Sequence, residues 1–571
     1  MPHVEMPHVE IRRADLLTGG AVLAVIAVAA VALPGYWLFL ATSALVAAIA
    51  LRGLGVVGQA GMNSLCQLSF AAVGAWTVAR LNVMAAPGGL VLWVAAGGLA
   101  AVPFGALIGL PALRLRGVHL AVVTLGFAAT ADVVVAALRF PGATTFQQVP
   151  RPGPIATDRG YFVFAALVFA LVCGALWLVD RTRAGAAWRA VRFSERATAA
   201  AGTSVARTKL TAFAASAFAA GVAGGVLAGQ IGTVTAQNFQ TINSLALFVV
   251  AVMAGSRYAG GALFGGLLMT FVPEVLKRLG VPQDWANVLF AAGAVQALTQ
   301  GASVSEGLAR RLRARRPAPP AAAVPRGEAA KAPPGGGPLL TVTGLTVRYG
   351  KVTALQDVDL TVPEGTVMGL IGPNGAGKST LTDALSGFLP GATGQITLAG
   401  RRLDGLPVHR RAAHLRRTFQ QDRVPTGLTV GAYLRFAARR RVGRGEVAEV
   451  CAFLGCPPPD RHVGDLDVGS RRLLEVAAAL LARPRLVVLD EPAAGLTHAD
   501  SLALADRLAE VPARYGASVL LIEHDLDMVR RACAHVAVLD FGRVIAAGPP
   551  AATLAEPEVA RAYLGDEAAL A

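Results

Sequence analysis

The chain has 571 residues, of which 54% are hydrophobic and only 15% are charged. Together with a mean hydropathy of +0.54, this composition excludes an ordinary soluble protein built only from globular domains. The net charge of +16 could indicate nucleic-acid binding, but the arginines concentrate beside apolar segments, so we expect membrane lipids and no nucleic acid as partners. Five scattered cysteines without metal-site spacing predict free thiols.

Nearly all long uncharged runs lie before residue 300. A membrane-spanning helix needs about 20 apolar residues, which predicts about ten transmembrane helices here. They fall at residues 16–33, 36–57, 62–84, 89–111, 118–138, 161–179, 210–229, 243–259, 261–279 and 285–300. The arginines of residues 180–209 place that segment in the cytosol with the N-terminus. An even number of spans then brings the C-terminal half to the cytosol as well.

Two carboxylates, Asp132 and Glu274, lie within or next to the predicted spans. Ionisable groups are costly in lipid and are rare there unless they have a partner or a function. We expect each carboxylate either to line a transport pathway or to take part in a contact between helices.

Three stretches of the apolar half resemble the permease of bacterial branched-chain amino acid ABC importers: residues 113–127 (LRLRGVHLAVVTLGF), 189–214 and 253–261 (MAGSRYAGG). The resemblance extends over about residues 38–298. Its best motif, ERATAAAG, starts at Glu195 and ends at Gly202 and is similar to the coupling helix of the family. Such a helix would contact the ATPase, with Gly202 as its C-terminal stop. The alternative is a solvated basic loop.

Residues 301–338 turn basic, then Pro/Ala-rich, then Gly-rich. This composition predicts an extended tether, whose arginines at residues 310–316 would be attracted to anionic lipid headgroups. The predicted organisation is a permease domain at residues 1–300, a linker at 301–338 and an α/β domain at 339–571.

The soluble half contains a G-x-x-x-x-G-K-S pattern between a strand-like run and a helix-like run. In this context the pattern predicts a phosphate-binding loop, because its backbone N–H groups can face a polyphosphate. Lys378 would supply positive charge and the Ser379 hydroxyl would bind Mg²⁺. The predicted ATP-binding residues of this stretch are Gly372, Pro373, Asn374, Gly375, Ala376, Gly377, Lys378, Ser379 and Thr380.

An apolar strand-like run, LVVLDE at residues 486–491, ends in two carboxylates. Two acids at the end of a buried strand are rarely there for structural reasons alone. We expect Asp490 to hold the Mg²⁺ shell and Glu491 to orient or deprotonate the attacking water.

From residue 339 to its end the chain resembles an ABC ATPase, a P-loop α/β fold. The resemblance implies that Tyr349 stacks on adenine, unless it is a half-buried strand tyrosine. It implies that Gln420, with Gln421 as the second choice, contacts Mg²⁺ or water. His524 is similar to the switch histidine that contacts the γ-phosphate.

The family signature Leu-Ser-Gly-Gly-Gln is altered to LDVGS at residues 466–470. In ABC dimers this segment begins a helix whose N–H groups complete the ATP site of the partner subunit. We expect Asp467 to cap these N–H groups and to bring negative charge toward the γ-phosphate, which would weaken that composite site. The predicted signature residues are Asp467, Val468, Gly469 and Ser470.

One permease and one ATPase make half of a transporter. The resemblance implies a second permease and a second ATPase, or a homodimer, and an extracytoplasmic solute-binding protein. We predict half of an ATP-driven importer of branched-chain amino acids or similar small polar solutes in the bacterial cytoplasmic membrane, with ATP and Mg²⁺ as cofactors. The alternatives are an exporter half, which would have fewer and longer spans, and a membrane-tethered regulatory ATPase that transports nothing.

Overall fold

The computed structural model describes residues 26, 28–115, 117–283, 285–299, 303, 307, 337–420 and 423–564. Most of the first predicted span, nearly all of the predicted linker and Gln421 therefore lie outside the described residues. The chain divides into two compact units, of which the first comprises Met1–Arg181 and Lys209–Pro317. The second comprises Thr182–Thr208 and Ala318–Ala571. The segment Thr182–Thr208 is thus grouped with the C-terminal half.

Helices make up most of the described part of the first unit. They are Gly35–Gln59, Gln67–Val83, Gly89–Gly109, Gly117–Leu138, Asp158–Asp180, Val205–Ile231, Thr241–Ala254, Ala259–Arg278 and Trp285–Thr299. Seven spans in the described part of the chain are long and apolar enough to cross a membrane. Two more predicted spans coincide with the helix Gln67–Val83, which has 17 residues, and with Trp285–Thr299, of which 15 residues are described. The expectation of about ten spans is therefore approximate.

Small residues allow the helices of this unit to approach closely. A Cβ atom on Gly74 would lie 2.0 Å from the carbonyl oxygen of Gly221, and one on Gly266 would lie 2.2 Å from the carbonyl oxygen of Ala44. No side chain fits at such distances, so glycine is required at these crossings.

The two carboxylates of the membrane half both have partners within this unit. Asp132 accepts a hydrogen bond at 2.8 Å from the backbone N–H of Thr241, the first residue of the helix Thr241–Ala254. Glu274 accepts one at 2.8 Å from Arg278, whose guanidinium lies 4.6 Å from the ring centre of Trp37. Asp132 therefore makes the contact between helices that was one of its two expected roles.

The strands of the second unit form two sheets. They are β1 (Pro338–Tyr349), β2 (Val352–Pro363), β3 (Val367–Ile371), β4 (Thr393–Leu398), β5 (Arg401–Arg402), β6 (Leu415–Arg417), β7 (Leu486–Asp490), β8 (Ser518–Ile522), β9 (His535–Asp540) and β10 (Arg543–Gly548). The four-stranded sheet has the order β2-β1-β4-β5, and the six-stranded sheet has the order β10-β9-β3-β8-β7-β6. Neighbouring strands from β9 to β6 are parallel, as expected for an α/β fold.

The described helices of the second unit are Arg183–Phe193, Glu195–Ala200, Lys378–Ser386, Val408–Arg411, Val430–Ala438, Arg444–Leu454, Val468–Leu481, His498–Tyr515, Leu526–Ala532, Pro550–Thr553 and Pro557–Leu564. Alternate residues of β7 belong to different hydrophobic clusters, Val487 and Leu489 to one and Leu486 and Val488 to the other. The sheet is therefore buried on both faces, which explains the continuous apolar run of this strand. Leu486 to Leu489 are therefore structural, and the two acids lie at the carboxyl end of the strand.

Candidate ATP-binding site

The glycine-rich loop joins β3 to the helix Lys378–Ser386. Gly372, Gly375 and Gly377 have φ angles of +147°, +85° and +106°, which residues with side chains rarely adopt. A Cβ atom on Gly372 would lie 2.0 Å from the carbonyl oxygen of Leu539, and one on Gly377 would lie 2.8 Å from that of Ala354. The loop thus has the tight backbone that a phosphate cradle requires.

Lys378 lies over this loop. Its Nζ donates hydrogen bonds to the carbonyl oxygens of Gly372, at 2.5 Å, and Pro373, at 2.9 Å. Burial lowers the pKa of Lys378, while the negative charges of Glu491 and Asp490 oppose that shift. The lysine charge is therefore coupled electrostatically to Asp490, the last residue of β7, and to Glu491, which follows it.

Asp490 ends β7 and is buried. Its register partner on β8 is Ile522, whose carbonyl oxygen accepts the backbone N–H of Glu491 at 2.9 Å. Glu491 has a φ of +48°, a conformation that costs about 1 kcal/mol for a residue with a side chain. The strand therefore ends abruptly between the two acids. Burial raises the pKa of Asp490, and Arg417 opposes this shift.

Gln420 lies near the second of these acids. Its Nε2 donates to Oε2 of Glu491 at 3.0 Å. Gln420 follows β6, which runs parallel to β7, so both side chains emerge at the carboxyl edge of the sheet. The structure thus brings together two of the three residues predicted to be catalytic.

His524 follows β8, the strand between β3 and β7, and its side chain is 73% exposed. The preceding residue, Glu523, is buried and was not predicted as a site residue. Its carboxylate accepts the backbone N–H groups of Ala493, at 3.1 Å, and His524, at 3.3 Å. Glu523 therefore connects the segment after Glu491 to the histidine. Burial raises its pKa. The sequence signal was an acid directly after an apolar strand.

Tyr349 and Thr380 complete the predicted nucleotide-binding residues. Tyr349 is the last residue of β1 and is 52% exposed, so a nucleotide base can reach its ring. Thr380 lies in the first turn of the helix Lys378–Ser386, whose N-terminal end carries partial positive charge.

The altered signature begins the helix Val468–Leu481, and Asp467 is its N-cap. Oδ1 of Asp467 accepts the backbone N–H of Ser470, and Oδ2 accepts the Ser470 hydroxyl, each at 2.8 Å. These bonds lower the pKa of Asp467. Val468 is exposed, and a Cβ atom on Gly469 would lie 2.8 Å from the Leu496 side chain. The helix terminus that would face a partner's nucleotide thus already carries a carboxylate.

The helix Glu195–Ala200 has Ser194 as its N-cap, and Gly202 follows it with a φ of +81°. Arg416 donates to the carbonyl oxygen of Ala200 at 3.1 Å. The preceding helix contributes Ala186, Ala187 and Ala190 to a buried cluster with Leu428 and Phe436. This loop segment is therefore packed in the second unit through both polar and apolar contacts.

Arg417, the last residue of β6, was not predicted as a site residue. It donates to Asp383 and, at 3.0 Å, to Asp490, and it is buried with Asp490. The sequence signal was a pair of arginines at the end of a buried strand, since buried charges require partners.

The residues at this edge fit a magnesium nucleotide. The glycine cradle leaves room only for backbone, and Ser379, Asp490 and Gln420 offer the oxygen ligands that Mg²⁺ prefers. No cluster of three or more His, Cys, Asp or Glu residues that could hold a metal occurs among the described residues. Such a site would therefore have few protein ligands, which is usual where phosphates complete the Mg²⁺ shell.

Comparison with known proteins gives matches to both halves of the chain. A family model described as the permease component of branched-chain amino acid transport systems matches residues 33–295, and one described as ABC transporter matches residues 355–494. The high-affinity branched-chain amino acid transport ATP-binding protein BraF of Pseudomonas aeruginosa is 35% identical over 251 residues, which are 40% of this chain and 98% of that protein.

Two further relatives match the second half. The zinc import ATP-binding protein ZnuC of Alkalilimnicola ehrlichii is 40% identical over 237 residues, which are 41% of this chain and 87% of that protein. A nucleotide-free ATP-binding cassette from an ABC transporter, known from its crystal structure, is 26% identical with a TM-score of 0.36 and covers 40% of this chain and 100% of that one.

Proposed function

Because this chain belongs to the branched-chain amino acid family of ABC transporters and joins a permease domain to an ABC ATPase domain, we propose that it forms half of an ATP-driven importer. The solutes are branched-chain amino acids or similar small polar molecules. The observation that carries this proposal is the permease match over residues 33–295 on a chain that also matches the ABC transporter model at residues 355–494. An exporter half is not favoured, because the permease match is to an uptake family.

The ATPase domain alone does not identify the solute. Its relatives include ATP-binding proteins named for branched-chain amino acid transport and for zinc import. The permease half is therefore the basis for proposing an amino acid, and the domain boundaries we propose are residues 1–300 for the permease, 301–338 for the linker and 339–571 for the ATPase.

ATP binds at the glycine-rich loop, where backbone N–H groups, the Lys378 ammonium and the positive end of the following helix stabilise the phosphates. Ser379, Gln420 and Asp490 hold Mg²⁺, which neutralises charge on the phosphates when it is bound. Tyr349 stacks on the adenine.

Glu491 takes the role of general base toward the attacking water, and the contact from Gln420 at 3.0 Å keeps its carboxylate oriented. His524 donates to the γ-phosphate and stabilises charge in the transition state. Glu523 holds the backbone N–H of His524 and thereby fixes the start of that segment. Glu195 and Gly202 bound the helix that transmits movement between the domains.

The ATP site needs a second ATPase, and the transport pathway needs a second permease. These subunits are either separate chains or a second copy of this one. A partner with an intact signature would complete the site at Gly372 and Lys378, whereas the Asp467 segment would complete the partner's site only weakly. An extracytoplasmic solute-binding protein delivers the solute.

The chain lies in the bacterial cytoplasmic membrane. Both termini and the ATPase domain face the cytosol, and the positive charge of the arginines at residues 310–316 would attract anionic lipids.

Transport by the purified complex in proteoliposomes tests the proposal. ATP is placed on the side of the ATPase domain, and the binding protein is placed on the opposite side. Radiolabelled leucine, isoleucine and valine should then move into the compartment that contains ATP. Unlabelled valine should compete with the transport of leucine. Movement away from the ATP would support an exporter instead. Hydrolysis without movement of any of the three would support a regulatory ATPase or another solute.

A further inference from the structure

Four charged side chains form a continuous series in the second unit, and we call it the charge chain: Arg196, Asp383, Arg417 and Asp490. Arg196 donates to Oδ2 of Asp383 at 2.6 Å, and Arg417 donates to Oδ1 of the same carboxylate. Arg417 also donates to Oδ2 of Asp490 at 3.0 Å. Each carboxylate oxygen of Asp383 therefore accepts a hydrogen bond from a different arginine. Each terminal nitrogen of Arg417 donates a hydrogen bond to a different aspartate.

The charge chain passes from solvent into the protein. The side chain of Arg196 is 43% exposed and that of Asp383 is 20% exposed, whereas those of Arg417 and Asp490 are each 5% exposed. Ion pairs strengthen as water is excluded, and a buried charge that loses one partner depends more strongly on the other. A change at the exposed end therefore alters the buried end.

Aromatic contacts connect the same two arginines. The Arg196 guanidinium lies 4.6 Å from the ring centre of Phe388, and Phe388 meets Phe419 edge to face at 6.0 Å. Arg417 lies 5.0 Å from the centre of the Phe419 ring. Because Gln420 follows Phe419 in the chain, the end of the charge chain near Arg417 is fixed beside the site.

We propose that Arg417 is a positioning residue for Asp490 and that Arg196, through Asp383, sets how strongly Arg417 holds Asp490. This inference rests on the proposed role of Asp490 in holding Mg²⁺. Asp383 is shared by two arginines, so its hold on Arg417 is strongest when Arg196 is absent. Withdrawal of Arg196 then draws Arg417 toward Asp383 and releases Asp490 for the metal. The position of the helix Glu195–Ala200, which carries Arg196, therefore affects how freely Asp490 can bind the metal.

Two substitutions are expected to act in opposite directions. Asp383→Asn removes the competitor of Asp490, so Arg417 pairs more tightly with Asp490, and the metal affinity should fall about tenfold, the equivalent of one charge-assisted hydrogen bond. Arg196→Gln leaves Asp383 to Arg417 alone, and the affinity should rise about threefold, as expected for a partly exposed pair. In the double variant Asp383 is already replaced, so the loss of Arg196 has no carboxylate to act on, and the affinity should equal that of Asp383→Asn.

The measurement uses the full chain in nanodiscs with a non-hydrolysable ATP analogue and Mn²⁺ as the probe for Mg²⁺. Electron paramagnetic resonance of free Mn²⁺ gives the metal affinity without any turnover. Asp506 and Arg531 form a matched exposed Asp/Arg pair in the same unit, so Asp506→Asn and Arg531→Gln are the controls and should leave the affinity unchanged. Asp383→Glu and Arg196→Lys keep the charges and should stay within about twofold of the wild type.

Shifts in the same direction for Asp383→Asn and Arg196→Gln, or additive effects in the double variant, would overturn the inference. Unchanged affinity in Arg196→Gln, which alters a partly exposed side chain and leaves the buried pair intact, would do so even if the Asp383 variants failed to fold. If the wild type itself bound no Mn²⁺ with the nucleotide, the proposed function would fail. If the wild type bound Mn²⁺ and both Asp383→Asn and Arg196→Gln bound it with the same affinity, the proposed role of the charge chain would be wrong. The proposed function would then still stand.

Discussion

Asp467 accepts two hydrogen bonds from Ser470, one from its backbone N–H and one from its hydroxyl, each 2.8 Å long. The carboxylate thus accepts one of the free backbone N–H groups at the start of the helix Val468–Leu481, that of Ser470. In an ABC dimer this terminus would face the partner's γ-phosphate, where a negative charge is unfavourable.

Asp467→Ser is expected to raise ATP turnover of the reconstituted complex. The serine can still cap the helix, but it removes the negative charge, and a repulsion of about 1 to 2 kcal/mol corresponds to a rise of about five- to thirtyfold at the affected site. Steady-state phosphate release measures this change. Asp467→Asn keeps a capping oxygen without the charge and should give a similar rise. An unchanged rate in both variants would show that the carboxylate does not limit that site.

Gly372→Ala is expected to abolish nucleotide binding, because its Cβ atom would lie 2.0 Å from the carbonyl oxygen of Leu539. Gly375→Ala is the matched control: its φ is also positive, at +85°, but no atom lies within 4 Å of its Cβ position. Its cost should be limited to about 1 to 2 kcal/mol of backbone strain. Binding of a fluorescent ATP analogue measures both. Equal losses would contradict the role assigned to the close approach at Gly372.

Glu491→Gln is expected to retain ATP binding and to lower hydrolysis by about 100-fold or more, because the amide cannot accept the proton of the attacking water. Single-turnover hydrolysis with radiolabelled ATP separates the chemical step from binding. Gln420→Ala removes only the 3.0 Å contact to Glu491 and a metal ligand, and should retain more activity than Glu491→Gln. Hydrolysis by Glu491→Gln within twofold of the wild type would exclude Glu491 as the base.

Glu523 should make stability depend on pH. Because burial raises its pKa in the folded protein, the folded state binds more protons than the unfolded state between the ordinary and the raised pKa. The contribution of Glu523 to the free energy of unfolding is therefore fully present below the ordinary pKa. It is lost as the pH rises through the raised pKa. Thermal unfolding of the full chain should show the wild type losing stability relative to Glu523→Gln over that range. A difference that is constant with pH would contradict the shift.

The local patterns were the most predictable part of this protein. The phosphate loop, the acids after β7 and the histidine after β8 each depend on a short sequence that follows one strand, and parallel strand order then brings them to one edge. The cap by Asp467 was likewise predictable, because an aspartate before a helix has few other roles.

The partners of Arg417 could not be predicted, because Asp383 and Asp490 are 34 and 73 residues away in sequence. The contact of Glu523 with Ala493 was unpredictable for the same reason, since it joins residues 30 positions apart. Arg417 meets Asp383 and Asp490 only after β6 pairs with β7 and the helix Lys378–Ser386 packs nearby. The number of spans was also approximate, since hydropathy marks apolar runs, whereas packing decides helix length. The helix Gln67–Val83, for example, is shorter than the run at residues 62–84 that predicted it.

Uptake of labelled leucine into proteoliposomes shows whether this ATP site drives solute import. The wild type and the surface control Asp506→Asn should accumulate leucine on the ATPase side only when ATP is present there. Lys378→Ala should abolish that accumulation, because the phosphates lose their main positive charge. If Lys378→Ala accumulated leucine as the wild type does, this ATP site would not drive import. If the wild type hydrolysed ATP but accumulated no leucine, the chain would not be a leucine importer.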